Sequence, residues 1–282
     1  MDETLKRAIS GAVYIFLLLA SILYSTESFL ILFGVFLIIS LFEFCNLIQV
    51  DKLIPVVAGT SLYVLVTFFS NYNESKSSDI QTLDIILLAS TLLISIKCIV
   101  FLFDNNIQSV STLSKYLYLL GYITLPFVFI TKISFGVNDY NPKIIIGLFI
   151  LIWTNDTFAY IVGKSIGKNK LFEKISPKKT IEGFFGGLIF AIFAGYLISM
   201  YLIKPSAQFS DKSILIWMTI AAIVGVIGTI GDLIESKFKR IAGVKDSGKI
   251  MPGHGGVLDR LDSVIFVAPF IFLFYKILYY VS

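Results

Sequence analysis

Long apolar stretches separated by short polar segments run through the chain from beginning to end. The stretches are continuous rather than alternating, so they predict α-helices and not the strands of a barrel. A helix needs about 20 apolar residues to cross a bilayer, and somewhat fewer suffice when flanking residues reach the interface. Nine segments fit and predict an all-α, polytopic membrane protein: residues 8–24, 29–45, 53–70, 85–103, 116–131, 144–163, 180–203, 213–231 and 264–282.

The composition agrees with this prediction. The 282 residues are 56% hydrophobic and 15% charged, whereas soluble domains have about 25% charged residues. A net charge of +4, with no basic helix face, gives no reason to expect a nucleic acid partner. Cys45 and Cys98 lie in predicted spans without metal-type spacing, which argues against a zinc site or a disulfide framework. The first span lacks a cleavage site for a signal peptidase, so we expect it to remain as an anchor.

Lysine and arginine residues collect on one side of the predicted bundle. With nine spans, the N-terminus and the segments 164–179 and 235–263 share that side. The positive-inside rule therefore places the N-terminus and both basic segments in the cytoplasm and the C-terminus outside. We expect the protein in the cell (inner) membrane. We expect one membrane domain with an N-terminal bundle, residues 1–143, and a C-terminal catalytic region, residues 144–282, because nearly all polar clusters lie in the second part.

Asn155 and Asp156 interrupt one of the apolar spans. An ionisable side chain within a membrane is costly unless it is paired, hydrated or bound to an ion. Two interpretations stay open at this point: a polar contact with a lysine of another helix, or a wall of an active site.

Ser176 and Pro177 have the pattern of a helix N-cap followed by proline at the first helical position. Lys178, Lys179 and Thr180 would then lie in the first turn of the next helix. Two cations at the positive end of a helix dipole are unfavourable alone, which favours a phosphate bound between them. The alternative is that these lysines only set topology or attract lipid head groups.

Acidic residues recur in pairs at the end of the chain. Asp232 and Glu235 share one helix face, and Asp259 and Asp262 share another. Carboxylates without nearby thiols suit Mg²⁺, whose remaining positions are filled by water and substrate phosphates. Basic residues in the same stretch would hold phosphate oxygens: Lys237, Lys239, Arg240, Lys245, Lys249 and Arg260.

Together these acids and bases predict chemistry on a polyphosphate, because such catalysis consists largely of positioning and charge neutralisation. The one histidine, His254, is flanked by glycines and is either structural or in contact with the substrate. The chain has no P-loop, kinase or nucleophile-elbow motif.

The stretch SKFKRIAGVKDSGKIMPGHGGVLDRLD, residues 236–262, resembles the signature of the phosphatidate cytidylyltransferase (CDP-diacylglycerol synthase) family. Similar motifs extend the resemblance from Asn155 to the C-terminus. Met251 and Ile181 depart from the usual pattern, but both are apolar exchanges. The matching positions are Ser236, Lys239, Arg240, Lys245, Asp246, Gly248, Pro252, His254, Gly255, Gly256, Asp259, Arg260 and Asp262.

The resemblance implies transfer of a cytidylyl group from CTP to phosphatidic acid at the cytoplasmic membrane surface, giving CDP-diacylglycerol and pyrophosphate. It also implies Mg²⁺ on Asp232 and Asp259, Lys239 at the nucleotide phosphates, K⁺ as a second ion, and a homodimer among membrane lipids. We expect Asp262 to support catalysis from beside the metal. The remaining predicted substrate-binding residues are Asn155, Asp156, Ser176, Lys178, Lys179, Thr180, Arg240, Lys245, Asp246, His254 and Arg260.

Other functions fit some of the same features. A cytidylyltransferase for an ether or isoprenoid phospholipid, or a CTP-dependent polyprenol kinase, would also need phosphate-binding cations. A transporter or channel could line an ion path with Asp156 and Asp232. That function predicts charges spread through the membrane depth, whereas most charges here cluster towards one surface.

Overall fold

The computed structural model describes residues 3–72, 78–104, 111–135, 140–203 and 212–281. Two π-helical segments, Leu119–Thr124 and Ile198–Leu202, directly continue the α-helices that precede them. The helices and strands within the described ranges are α1 Glu3–Tyr24, α2 Thr26–Ile48, α3 Leu53–Tyr72, α4 Ser78–Phe103, α5 Thr112–Tyr118, α6 Leu125–Ser134, α7 Pro142–Ile166, β1 Lys170–Phe172, β2 Ser176–Thr180, α8 Ile181–Leu197, α9 Ser213–Ile241 and α10 Leu258–Val281.

Eight helical segments of the described residues are long and apolar enough to cross a membrane, with α5 and α6 forming one continuous segment, Thr112–Ser134. The remaining predicted span corresponds to α3, whose described apolar part is Leu53–Thr67. Large apolar side chains such as Phe16, Ile31 and Leu93 are exposed, as expected for helices that face lipid. The predicted class, an all-α polytopic membrane protein, is confirmed.

The second half of the bundle is held by close helix contacts. α8 packs between α7 and α9, and α9 also packs against α10. Gly183 and Gly187 allow this close approach, because both lie against the backbone of α7. On α9, the buried ring of Phe238 contacts Phe44 of α2 and Phe101 of α4. These contacts bring the ends of α2, α4, α9 and α10 together.

The predicted start of the helix at Ser176 is wrong. Residues Ser176–Thr180 form strand β2, which pairs antiparallel with β1, and α8 begins only at Ile181. The N-cap is Thr180, whose Oγ1 accepts a hydrogen bond from the Gly183 amide at 3.1 Å. Proline fixes a φ angle that an extended strand also accepts, so the Ser-Pro pattern alone does not distinguish the two structures.

Candidate active site

Three carboxylates from two helices meet near the start of α10. Asp232 and Glu235 lie on α9 and Asp262 lies on α10, and one oxygen of each lies within 4.8 Å of the others. The i, i+3 spacing places Asp232 and Glu235 on one face of α9. Gly231 of α9 lies close to Phe266 and to the Asp262 carbonyl, so α10 can pack directly against α9. The two helices thus concentrate negative charge at one point.

Two lysines lie against these carboxylates. Lys179, at the end of β2, forms an ion pair with Asp232. Lys239, one turn after Glu235 on α9, forms ion pairs with Glu235 and with Asp259, the latter at 2.7 Å. Ser236 donates a longer hydrogen bond to Asp232, at 3.3 Å. Acidic and basic groups therefore lie side by side here, and together they could hold a cation and phosphates.

Asp259 differs from the three clustered acids in how its oxygens are engaged. Its Oδ2 atom lies 2.9 Å from both the amide and the hydroxyl oxygen of Ser247 and 2.7 Å from the Gly256 amide. Its Oδ1 atom accepts a hydrogen bond from Lys239. Asp259 joins the cluster only through Lys239 in the described contacts, so the metal pair Asp232 and Asp259 stays a prediction.

The clustered carboxylates fit a hard divalent cation. Glu235 is fully buried, and neither of its oxygens accepts a hydrogen bond of normal geometry within the described part of the chain, although Lys239 lies against one of them. Burying charged oxygens with so few donors is costly. A cation among three carboxylates would offset that cost, and oxygen ligands of this kind are those that Mg²⁺ prefers.

Further residues of the predicted phosphate site lie on the β-hairpin formed by β1 and β2 and at the end of α9. Ser176 is half-buried and Lys178 is exposed, while Lys179 turns towards Asp232. Arg240 of α9 reaches the hairpin through a hydrogen bond from Nε to the Ile175 carbonyl, at 3.2 Å. Lys245 and Asp246 are exposed in the segment that follows α9. The structure thus brings Lys179 into the cluster, whereas Lys178 and Lys245 are exposed to solvent.

Asn155 and Asp156 lie on α7, on the side of the site towards α8. Asn155 is buried, and its amide donates to the Asp156 carboxylate at 3.4 Å. Asp156 is within electrostatic range of Asp232 and Lys179. Of the two interpretations left open by the sequence, the wall of a polar site agrees better with this position.

His254 lies between α1 and α10. Its Nδ1 atom is 2.7 Å from the hydroxyl of Ser10 on α1, and its carbonyl accepts a hydrogen bond from Arg260 at 3.0 Å. Burial lowers the pKa of His254 below its usual value, and the nearby positive charges of Arg260 and Arg7 lower it further. Ser10 and Arg260 thus contact the Nδ1 atom and the carbonyl of His254, and its contact with the substrate stays a prediction.

Lys237 is a second basic residue with a structural position. Its side chain is buried and its ammonium donates to carbonyls at the end of α4, those of Phe101 and of Asp104, the latter at 2.7 Å. A cation at the C-terminus of a helix interacts favourably with its dipole. The sequence-based expectation that Lys237 holds a phosphate is not supported by these contacts.

Sequence reasoning missed two acids of this region. Glu235 was recognised as sharing a face with Asp232 but was not included among the site residues. Glu43 of α2 belongs to no motif of the sequence, yet it is buried beside the segment that precedes α10. An ionisable residue inside an apolar span is the signal that could have identified Glu43.

Fold and site together define a polytopic membrane protein whose centre of carboxylates and lysines suits phosphorylated substrates and a divalent cation. The sequence profile of the cytidylyltransferase family matches residues 5–278. The chain therefore belongs to the cytidylyltransferase family, as the motifs predicted.

Relatives from bacteria agree with this assignment. The chain is 33% identical to a phosphatidate cytidylyltransferase of Bacillus subtilis over 96% of its own length and 97% of the relative. It is 46% identical to the phosphatidate cytidylyltransferase of Staphylococcus epidermidis over 45% of this chain and 46% of that protein. The protein of the same name from Staphylococcus aureus is 49% identical over 43% of this chain and 44% of the relative.

Proposed function

We propose that this protein transfers the cytidylyl group of CTP to phosphatidic acid, forming CDP-diacylglycerol and pyrophosphate at the cytoplasmic surface of the cell membrane. The observation that carries the proposal is the cluster of Asp232, Glu235 and Asp262 beside Lys179 and Lys239. Relatives named phosphatidate cytidylyltransferase support the choice of substrates.

The reaction needs no general base from the protein. The second pKa of a phosphate monoester is near 6, so the phosphate of phosphatidic acid is largely dianionic at cytoplasmic pH. One of its oxygens forms a bond to the α-phosphorus of CTP while the bond from that phosphorus to the bridging oxygen breaks, and pyrophosphate leaves with the electron pair. Lys239 and Lys179 neutralise phosphate charge, with Arg240, Lys178 and Lys245 at the edge of the site binding the outer oxygens.

We propose that Mg²⁺ is held or surrounded by Asp232, Asp259 and Asp262. Glu235 lies in the same cluster as Asp232 and Asp262. When bound, Mg²⁺ neutralises negative charge on the phosphates and aligns them. Asp259 keeps Lys239 directed to the cluster through their ion pair. Asp156 and Asn155 limit the site on the side of α7. The K⁺ ion implied by the family resemblance stays a prediction.

An apolar cavity of ≈ 570 Å³ supports a lipid substrate. It lies between α1, α2 and residues 250–257, and its walls include Val13, Leu17 and Phe36, with Lys6 and Ser10 also lining it. Ser10 also contacts the ring of His254. Acyl chains in such a cavity would stay in apolar surroundings while the phosphate reaches the charged cluster. The homodimer is part of the same proposal and rests on the resemblance alone.

The test uses purified protein in mixed micelles with phosphatidic acid, Mg²⁺ and CTP labelled at the α-phosphate. We expect label in a lipid product and release of pyrophosphate. Asp232→Asn and Asp259→Asn should each lower kcat by roughly 100-fold or more, because each removes a carboxylate that would hold Mg²⁺ and that pairs with a lysine of the site. Asp51→Asn is the matched control: Asp51 is exposed, and its side chain accepts a hydrogen bond from the Leu53 amide that asparagine can also accept.

Mg²⁺ titrations of the same variants, with Asp262→Asn added, separate metal binding from other roles. A variant that has lost a metal ligand needs more Mg²⁺ for half-maximal rate. Full turnover of Asp259→Asn at the wild-type Mg²⁺ concentration would refute its place in the metal site. Label transferred from the γ-phosphate of CTP, with CDP left behind, would identify a kinase instead.

A further inference from the structure

Glu43 of α2 caps a helix to which it does not belong. The side chain is 3% exposed. Its Oε1 atom accepts a hydrogen bond from the Val257 amide at 3.1 Å, and its Oε2 atom accepts one from the Leu258 amide at 2.9 Å. Amides at the start of a helix have no partner within that helix, and the helix dipole favours a negative charge there. The carboxylate of Glu43 thus completes the N-terminus of α10.

The segment before α10 is shaped around this carboxylate. A Cβ atom at Gly248 or at Gly256 would overlap the Glu43 side chain. Both positions therefore accept only glycine without a shift of the backbone or of Glu43. Two glycines of the motif in the C-terminal half are thereby explained by an acid in the N-terminal half, about 200 residues away in sequence.

Glu43 reaches the candidate active site through Ser247. The Ser247 hydroxyl oxygen lies 3.0 Å from Glu43 Oε2 and 2.9 Å from Asp259 Oδ2. Asp259 in turn forms the ion pair with Lys239. A change at Glu43 would loosen Ser247, which contacts Asp259 Oδ2, and the first turn of α10, which carries Asp259.

We propose that Glu43 is a positioning residue for the reaction: it fixes residues 247–258 so that Asp259 keeps its orientation towards Lys239. The proposal rests on the proposed function for its catalytic consequence. Glu43 touches no substrate in this role and acts through Ser247 and the start of α10.

The test compares Glu43→Gln, Glu43→Asp and Ser247→Ala with a matched control, Ser40→Ala. Glutamine keeps the volume but directs an amide N–H₂ against backbone donors, whereas aspartate keeps the charge on a shorter side chain. Ser40 lies on the same helix, and its buried hydroxyl has no hydrogen-bond partner within the described ranges. The measurements are kcat, the Mg²⁺ concentration for half-maximal rate, and hydrogen exchange of the Val257 and Leu258 amides without substrate.

We expect Glu43→Gln to lower kcat by roughly 10- to 100-fold, the range found when residues that orient an active site are replaced. The Mg²⁺ requirement should rise and both amides should exchange faster. Glu43→Asp should recover part of kcat, and Ser247→Ala should share the change in kcat and Mg²⁺ requirement. Ser40→Ala should match the wild type.

Wild-type kcat and Mg²⁺ dependence in Glu43→Gln would overturn the proposal, even with faster exchange, because Glu43 would then be only structural. If Glu43→Gln does not fold, Glu43→Asp and Ser247→Ala decide in the same way. A wild-type protein that makes no lipid product would refute the proposed function. In that case the exchange rates still test whether Glu43 holds the start of α10. Faster exchange of the Val257 and Leu258 amides in Glu43→Gln than in Ser40→Ala supports this role, and equal rates refute it.

Discussion

At the scale of single residues, His254 connects α1 to the segment before α10. Ser10 lies within hydrogen-bond distance of its ring and of the Pro252 carbonyl, while Arg7 and Arg260 place positive charge nearby. A protonated imidazole is unfavourable in these surroundings, so the folded protein holds the ring neutral at a lower pH than an unfolded chain does. We therefore expect the contact between α1 and this segment to weaken in acid.

This difference predicts a pH dependence of stability. An unfolded histidine titrates near pH 6.5, and His254 in the folded protein titrates below its usual value, with burial as the main cause. Between these two values the unfolded chain binds the extra proton, so the folded state loses stability as the pH falls below about 6.5, by at most about 1.4 kcal/mol per pH unit for one proton.

Thermal unfolding in detergent between pH 7.5 and 5.5 measures this effect. His254→Asn, which keeps a polar atom near the position of Nδ1, should show a flatter decrease than the wild type. Since His254 is the one histidine of the chain, no other histidine contributes to the difference. Identical slopes in both proteins would contradict the prediction.

Residue-scale prediction from sequence succeeds where helix periodicity decides and fails where distant segments meet. Asp232 and Glu235 share a face of α9 as their spacing predicts, and Lys239 extends that face by one turn. Lys237, two residues earlier, points elsewhere, because a shift of two positions is about 200° around a helix. Glu43 could not be placed from spacing, since its partners follow it by more than 200 residues.

At the scale of helices and strands, Lys237 links α9 to the end of α4. We expect Lys237→Met to keep the length of the buried side chain but leave the carbonyls of Phe101 and Asp104 without this donor. The expected loss is about 1–3 kcal/mol of unfolding free energy. Thermal or denaturant unfolding in detergent measures it, and activity of the folded protein should change little, because this lysine points away from the carboxylate cluster.

Lys212→Met is the control for this change. Lys212 is exposed at the opposite end of the same helix, so its substitution should change stability by less than about 0.5 kcal/mol. Equal stability of the two variants would mean that Lys237 does not hold α4 and α9 together.

The long helices were predictable because a continuous apolar stretch has few other structures available in a membrane. Their ends were predicted less well: α9 continues ten residues beyond its predicted end at residue 231, into the polar sequence that carries Asp232 and Lys239. The β-hairpin was not predicted, because pairing of β1 with β2 is a contact between segments that no local pattern specifies.

At the scale of the whole molecule, the distribution of basic residues predicts how the bundle is oriented. α9 has 29 residues, which at 1.5 Å per residue span about 43 Å, more than the hydrocarbon core of about 30 Å. Its two ends therefore emerge on opposite sides of the membrane. Lys212 before the helix and Lys249 after it are both exposed, so they mark the two surfaces.

Single cysteines at these two positions test the orientation. Cys45 and Cys98 are fully buried, so the native thiols should react little with a maleimide that does not cross membranes. In intact cells whose outer layers have been removed, we expect Lys212→Cys to be labelled at once. Lys249→Cys should be labelled only after the membrane is permeabilised, since the positive-inside rule places its segment in the cytoplasm. The reverse pattern would put the carboxylate cluster outside, away from the cytoplasmic CTP pool, and would contradict the proposed reaction as well as the topology.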